Sequence, residues 1–146
     1  MFGITYERQD RVADDDQRVV WLRKLTVGSW DFNVYYRGED DEYPHDHPWD
    51  FWVFPLQDFL EEVHVPRRRE RELRVVKAWR WHFRRATHVH RIVGATKSEN
   101  GNVLYDRAGR FVTITKRERK YRDWGYWLGD EWVHNQKLPR DPQAQS

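Results

Sequence analysis

Cysteine is absent from this 146-residue sequence. Disulfide bonds and thiolate metal ligands are therefore excluded, and any metal ion must be bound by imidazole, carboxylate or backbone oxygen. Long hydrophobic runs are absent too. No segment approaches the roughly 20 apolar residues that span a bilayer, and residues 1–10 lack the basic start and apolar run of a signal peptide. These absences predict a cytoplasmic protein that does not contact a membrane.

The apolar residues are few but large. They make up 38% of the chain and include 9 Trp, 7 Tyr and 7 Phe. Aromatic and β-branched side chains favour strands, and no stretch longer than a few residues repeats its apolar positions every 3.6 residues. A chain of this length has the size of one domain. The composition therefore predicts a single all-β domain over residues 1–137 and a disordered tail over residues 138–146.

Acidic and basic residues are distributed unevenly. Residues 1–66 hold 15 acidic and 6 basic side chains, whereas residues 67–146 hold 9 acidic and 20 basic ones. Strands from the two halves could pair acid against base across one sheet. The alternative is nucleic-acid binding through the basic segments 67–74 and 117–122, with Tyr121 and Trp124 as stacking surfaces.

Short apolar runs separated by turn residues predict many strands, which is typical of a sandwich or barrel. The run at residues 51–54 (FWVF) predicts a strand covered on both faces. In residues 73–83, Trp79 and Trp81 alternate with Arg80 and His82, which predicts a half-buried strand with the two Trp in the core. The predicted strands span residues 18–27, 32–37, 49–56, 59–65, 73–83, 88–93, ended by Gly94, and 111–115, with a last aromatic element over 124–133.

Two His-x-His pairs precede predicted strands. Residues two apart in a strand point to one side, so His45 and His47 can present their imidazoles to a single point, and His88 and His90 form a second such pair. Imidazole suits Zn, Fe, Ni and Cu. The alternative is that these rings hydrogen-bond to nearby Asp side chains or to the backbone.

The order of these features resembles the cupin superfamily of RmlC-like proteins. In that family a Gly precedes His-x-His, and Pro-x-Gly-x-x-His follows downstream. Here Gly38 precedes the first pair, and residues 85–91 (RATHVHR) stand at the place of the second motif. The segment HDHPWDF, residues 45–51, is similar to a small group of cupin-like proteins found in bacterial and phage genomes. The resemblance covers residues 18–134 and implies a single-domain jelly-roll barrel, or double-stranded β-helix.

The resemblance also implies a ligand set. It places His90 in the metal-ligand position of the second motif, beside His45 and His47. Phe51 stands where the first motif carries its Glu, so an open three-His site is implied, with positions left for water, dioxygen or substrate. His88 is then a fourth ligand or a neighbour of the ligands.

Four further polar residues are candidates around this site. Asp46 and Asp50 could orient the imidazoles through their free N–H groups, or they could cap the turn. Arg80 and His82 share a strand face, and they could bind an anionic substrate if that face points into the barrel. The alternative for Arg80 and His82 is an exposed polar face.

Three functions are compatible with these features. Three-His cupins include thiol and diketone dioxygenases, so the resemblance implies first a metal-dependent oxidoreductase that acts on a small molecule, with Fe2+ favoured over Zn2+, Ni2+ or Mn2+. The second function is a non-catalytic cupin that binds a metal or a small ligand. The third is nucleic-acid association through the two basic segments, and the sequence leaves a homodimer open.

Overall fold

The computed structural model describes residues 3–12, 18–37, 43–65, 70–106 and 109–136, and the predicted tail lies outside them. Within these ranges the chain forms strands and turns, and it contains no helix that could cross a membrane. The strands are β1 (Ile4–Val12), β2 (Arg18–Val27), β3 (Trp30–Tyr35), β4 (Phe51–Pro55), β5 (Phe59–Val65), β6 (Glu70–Val76), β7 (His82–Arg84), β8 (His90–Glu99), β9 (Asn102–Asp106), β10 (Phe111–Arg117), β11 (Gly125–Leu128) and β12 (Glu131–His134).

Most strands belong to two curled antiparallel sheets. Six form a sheet in the order β1-β2-β3-β10-β4-β7, four form a second sheet in the order β6-β5-β8-β9, and β11 pairs with β12. The predicted all-β class is confirmed for the residues that the structure describes. A closed barrel stays a prediction, because the described strands group into separate sheets.

The core lies between the two sheets and is built on stacked rings. Phe111 of β10 is fully buried and stacks on Phe59 of β5, with ring centroids 5.1 Å apart. Tyr35 of β3 stacks on the other side of Phe111 at 4.6 Å. Val76 and Ile92 complete this cluster. Large rings therefore fill the interior, as the aromatic composition predicts.

One irregularity interrupts the pairing of β5 with β8. Leu60 pairs with Gly94, but the next residue, Glu61, pairs with Ile92, so Val93 is an extra residue on β8. A β-bulge of this kind bends a strand and changes which side chains face the core.

Gly94 belongs to this bulge rather than to a strand end. Its φ of 149° lies where residues with a side chain rarely go, and a Cβ here would lie 2.6 Å from the Tyr105 ring. The prediction that the strand ends at Gly94 is therefore wrong, because the glycine lets β8 continue to its last residue, Glu99.

The predicted strand over residues 73–83 is also wrong, because a turn divides it into β6 and β7. Trp79 has a φ of 62°, and its amide donates to the Pro55 carbonyl at 2.9 Å. The Asp58 carboxylate accepts from the Ala78 amide at 2.7 Å and from the Lys77 ammonium at 3.1 Å. These bonds hold residues 77–80 off the straight path of a strand.

Acids of the first half of the chain bind bases of the second half. Glu62 contacts Arg71 and Arg91 at 3.3 Å each, and Asp31 contacts Arg117 at 2.9 Å. The predicted acid–base pairing is thus confirmed. Of the predicted basic loop 67–74, residues 70–74 belong to β6, and residues 67–69 lie outside the described residues.

The outer face of the six-stranded sheet is apolar. The paired residues of β1, β2, β3, β10 and β4 form two rows across this face. The first row is Ile4, Val27, Trp30, Lys116 and Trp52. The second row is Tyr6, Leu25, Phe32, Ile114 and Phe54. Trp79 and Trp81 pack against Phe54 at 6.0 and 5.2 Å, so the prediction that they lie in the core is wrong. We call this surface the aromatic face and define it by nine side chains that are 38–71% exposed, namely Ile4, Tyr6, Leu25, Trp30, Phe32, Trp52, Trp79, Trp81 and Phe83.

Candidate metal centre

The first His-x-His segment lies between β8 and β11. His45 exchanges backbone hydrogen bonds of 2.9 and 3.0 Å with His90 and forms a second bridge with Tyr126. The His47 amide donates to the Ala86 carbonyl at 2.9 Å. This backbone pairing holds the segment extended, so the side chains of His45 and His47 point to the same side.

The three predicted ligands converge on one point. One ring nitrogen from each of His45, His47 and His90 lies within 4.8 Å of the other two, and the two Nε2 atoms of His47 and His90 are 3.2 Å apart. Two nitrogens that each lie about 2.1 Å from one metal ion, at a tetrahedral or octahedral angle, are about 3.0–3.4 Å apart. His47 and His90 already have this spacing, and with His45 they form a group that could hold a metal ion.

Burial keeps two of these imidazoles neutral. Desolvation lowers the pKa of His47 well below its usual value of 6.5, and the neighbouring histidines lower it further. Desolvation also lowers the pKa of His90, against a hydrogen bond to Glu61 that raises it. The neutral ring is the form that binds a metal, so both side chains are ready to ligate at neutral pH.

Glu61 is a site residue that the histidine spacing did not reveal. It lies on β5, is 1% exposed, and its Oε2 lies 2.8 Å from Nδ1 of His90. Because an ionised carboxylate can only accept, the His90 proton is on Nδ1 and the lone pair on Nε2 is available to a metal. The sequence carried one signal: Phe59, Glu61 and Val63 share a strand face, so a charge interrupts an otherwise apolar face.

The Glu61 carboxyl is ionised despite its burial. Desolvation raises its pKa, but the hydrogen bond with His90 and the nearby His88 ring outweigh that effect and bring the pKa far below its usual range. Arg84 of β7 adds a guanidinium 3.0 Å from Oε1. The carboxylate therefore has a permanent cation on one oxygen and the His90 ring on the other.

His88 lies beside Glu61 rather than with His45 and His47. Its Nε2 is 3.6 Å from Oε1 of Glu61, and Glu61, His88 and His90 offer a second set of ligand atoms within 4.8 Å of one another. The Arg84 guanidinium already neutralises Glu61, so this second set is less suited to a cation. The three-His group is therefore the better candidate to hold a metal ion.

Asp46 binds away from the imidazoles. Its side chain is buried, and its oxygens accept from the Gly125 amide at 2.8 Å, the Trp127 and Trp132 indoles at 3.2 and 3.0 Å, and the Arg122 guanidinium at 3.2 Å. Alternation explains this placement, because Asp46 stands between two residues that point to the other side. Asp46 thus ties the β11–β12 hairpin to the ligand segment.

Asp50 binds the chain that leads to the second His pair. One of its oxygens accepts from the Ala86 amide at 2.8 Å and from the Tyr121 hydroxyl at 2.9 Å. These hydrogen bonds lower the pKa of the Asp50 carboxyl. Neither Asp46 nor Asp50 belongs to a group of converging ligand atoms within the described residues.

The structure does not bring Arg80 and His82 into the ligand cluster. Arg80 is exposed in the turn, and Nε2 of His82 bonds the Lys77 carbonyl at 2.8 Å. The turn after β6 redirects the chain, and Arg84, two residues beyond His82, is the basic residue that reaches Glu61.

Aromatic rings surround the cluster. The His47 ring lies 4.5 Å from the Phe51 ring and 5.7 Å from the Trp49 ring, and the His45 ring lies 6.0 Å from the Trp124 ring. Such apolar surroundings exclude water and strengthen electrostatic interactions at the site.

Comparison with known proteins yields likeness of fold alone. No family model and no curated protein sequence matches the chain. The crystal structure of Drosophila melanogaster CENP-C bound to CAL1 matches with a TM-score of 0.50 and 8% identity over 77% of each chain. A structure of Fe(II)-HppE with the alternative substrate (S)-1-HPP matches with a TM-score of 0.45 and 12% identity, over 77% of this chain and 56% of that one.

Proposed function

We propose that this protein is a cupin of the HDHPWDF type that binds one divalent transition metal through His45, His47 and His90 and acts as an Fe(II)-dependent dioxygenase on a small molecule. The observation that carries the proposal is the convergence of three imidazole nitrogens, two of them 3.2 Å apart, from one partly buried and two buried histidines. Three neutral imidazoles leave coordination positions open, which is typical of catalytic rather than structural sites.

The chain's own residues position and shield this centre. Glu61 fixes the tautomer and orientation of the His90 ring, and Asp46 with Arg122 holds the segment that carries His45 and His47. The Arg122 guanidinium also donates to the His47 carbonyl at 3.1 Å. The metal would supply Lewis acidity and the means to bind dioxygen beside a substrate.

The basic segment 117–122 gives less support to nucleic-acid binding. The Arg117 guanidinium contacts Asp31 and the Gly28 carbonyl, and the Arg122 guanidinium contacts Asp46 and the His47 carbonyl. Both cations are thus engaged within the protein, where they neutralise buried acids instead of presenting charge to phosphates.

Metal content and oxygen uptake test the proposal. Protein purified without a His-rich tag is expected to carry about one equivalent of a transition metal after loading, and the iron-loaded form should consume dioxygen with a small thiol or a 1,3-diketone. Less than about a tenth of an equivalent of every metal, with melting unchanged on metal addition, would contradict the metal site. Full loading without turnover would contradict the oxygenase and indicate a binding protein.

Glu61→Gln tests the carboxylate behind the ligand. Removing the charge that orients the His90 ring is expected to raise the Kd for Zn2+ or Ni2+ by about 10–100-fold, as measured by competition with a chromophoric chelator. Glu62→Gln is the matched control, because its carboxylate points to Arg71 and Arg91 instead. Equal affinities in the two variants would show that Glu61 does not support the site.

A further inference from the structure

On the inner face of the six-stranded sheet, buried polar side chains lie beside the aromatic core, and the outer face carries large apolar side chains. Asp31, Asn33 and Thr113 are 2–4% exposed on the face that meets the second sheet, whereas the opposite face carries Trp30, Phe32 and other large apolar side chains toward solvent. In an antiparallel sheet with one solvated face, polar side chains normally lie on that face and apolar side chains face the core. We infer that the aromatic face is covered by the same face of a second copy of this chain, in a two-fold symmetric homodimer.

The extent of the face matches what a stable dimer needs. Its nine defining side chains are on average about half exposed, and large side chains bury roughly 150–250 Å² each when fully covered, so covering the face removes roughly 900 Å². Specific complexes of standard size bury about 800 Å² per partner, and exposed apolar patches on monomers rarely exceed a few hundred Å².

The chemistry of the face favours an apolar partner. Lys116 is the charged residue inside the two rows, and its ammonium is engaged by the Ser29 hydroxyl, the Arg117 carbonyl and the Trp30 ring at 5.7 Å. Sugars and nucleic acids would require free polar or basic groups between the rings. At the border, the next row of the sheet carries Arg8 and Arg23, and Arg8 pairs with Asp10 at 2.8 Å, which makes the rim polar.

Segments of the same chain outside the described residues are poor candidates to cover the face. The longer ones, ADDDQ (13–17), GEDDE (38–42), PRRR (66–69) and KLPRDPQAQS (137–146), are rich in charged and polar residues, and the dipeptides MF (1–2) and RA (107–108) are too short to cover it. A second copy instead offers the same aromatic rows, and a two-fold axis lets each row pack on its equivalent, because a closed two-fold interface uses one patch twice.

Sedimentation velocity of the full-length protein tests the inference. Wild type is expected to sediment at micromolar concentration as a dimer, with twice the 18.0 kDa mass of one chain, and Leu25→Lys should sediment as a monomer. The matched control is Leu73→Lys, which places the same charge on an exposed leucine of β6, in the other sheet, and should stay dimeric.

Trp79→Ser is a second test that does not depend on the folding of Leu25→Lys. Trp79 is 71% exposed and lies in a turn, so its replacement leaves the strands unchanged. It is expected to raise the dimer dissociation constant at least tenfold, with an unchanged circular dichroism spectrum. A monomeric wild type overturns the inference. If that monomer floats with anionic lipid vesicles, a lipid surface covers the aromatic face instead. A dimer that persists in both Leu25→Lys and Trp79→Ser overturns it as well.

Discussion

His90→Ala is expected to reduce bound transition metal from about one equivalent to less than about a tenth, as measured by elemental analysis of loaded and desalted protein. His90 is the proposed ligand that connects the three-His group to Glu61, because one ring nitrogen faces His47 and the other bonds Glu61. Its removal takes away a ligand and also leaves the Glu61 carboxylate without one of its partners. Loss of His45 or His47 removes a ligand alone.

His134→Ala is the control for this loss. His134 lies in β12 and is half-buried, near the carboxylate of Asp123. Its replacement should leave the metal content unchanged. Metal retained at the wild-type level in His90→Ala would contradict the three-His assignment, whatever the behaviour of the control.

Asp46→Ala is expected to lower the free energy of unfolding of the metal-free protein by about 3–5 kcal/mol, because it leaves buried donors, one of them charged, without their acceptor. Four donors converge on this carboxylate, from Gly125, Trp127, Trp132 and Arg122. Urea unfolding followed by tryptophan fluorescence measures the effect, and the two indoles that bond Asp46 report on the region directly.

Two variants define the meaning of that result. Asp46→Asn keeps one acceptor oxygen but loses the charge, so a smaller loss of about 1–3 kcal/mol is expected. Asp123→Ala removes a carboxylate that is 68% exposed and should change the unfolding free energy by less than about 0.5 kcal/mol. A loss in Asp46→Ala no larger than in Asp123→Ala would show that the hairpin is held by its apolar contacts instead.

Sequence patterns predicted the parts of the fold that depend on local chemistry. The strands β2 and β5 begin and end where the apolar runs and turn residues place them, and His45, His47 and His90 converge although about forty residues separate the two His pairs. Strand β1 was not predicted, because its apolar alternation stops after Ile4 and Tyr6 and polar residues follow.

The errors arise where a pattern has two physical meanings. Alternation in residues 73–83 shows that Trp79 and Trp81 share a side, but it does not tell a core from an exposed aromatic surface. The contact of Arg84 with Glu61 joins strands from different sheets, and no local spacing encodes it. Asp46 was recognised as polar and close to the ligands, yet its indole partners depend on how the last hairpin folds back.

The extra residue in β8 decides which side chain reaches the interior. Ala95 lies opposite Phe59 and faces inward. In a regular strand every second residue faces the same side, so without an insertion Val93 and Arg91 would face inward and His90 would face outward. With Val93 inserted, Ile92 and His90 face inward instead, opposite Glu61 and Val63. The position of His90 in the three-His group thus depends on strand register as much as on residue type. A single-residue insertion or deletion in this strand could create or abolish the proposed metal centre during evolution while every histidine remained in the sequence.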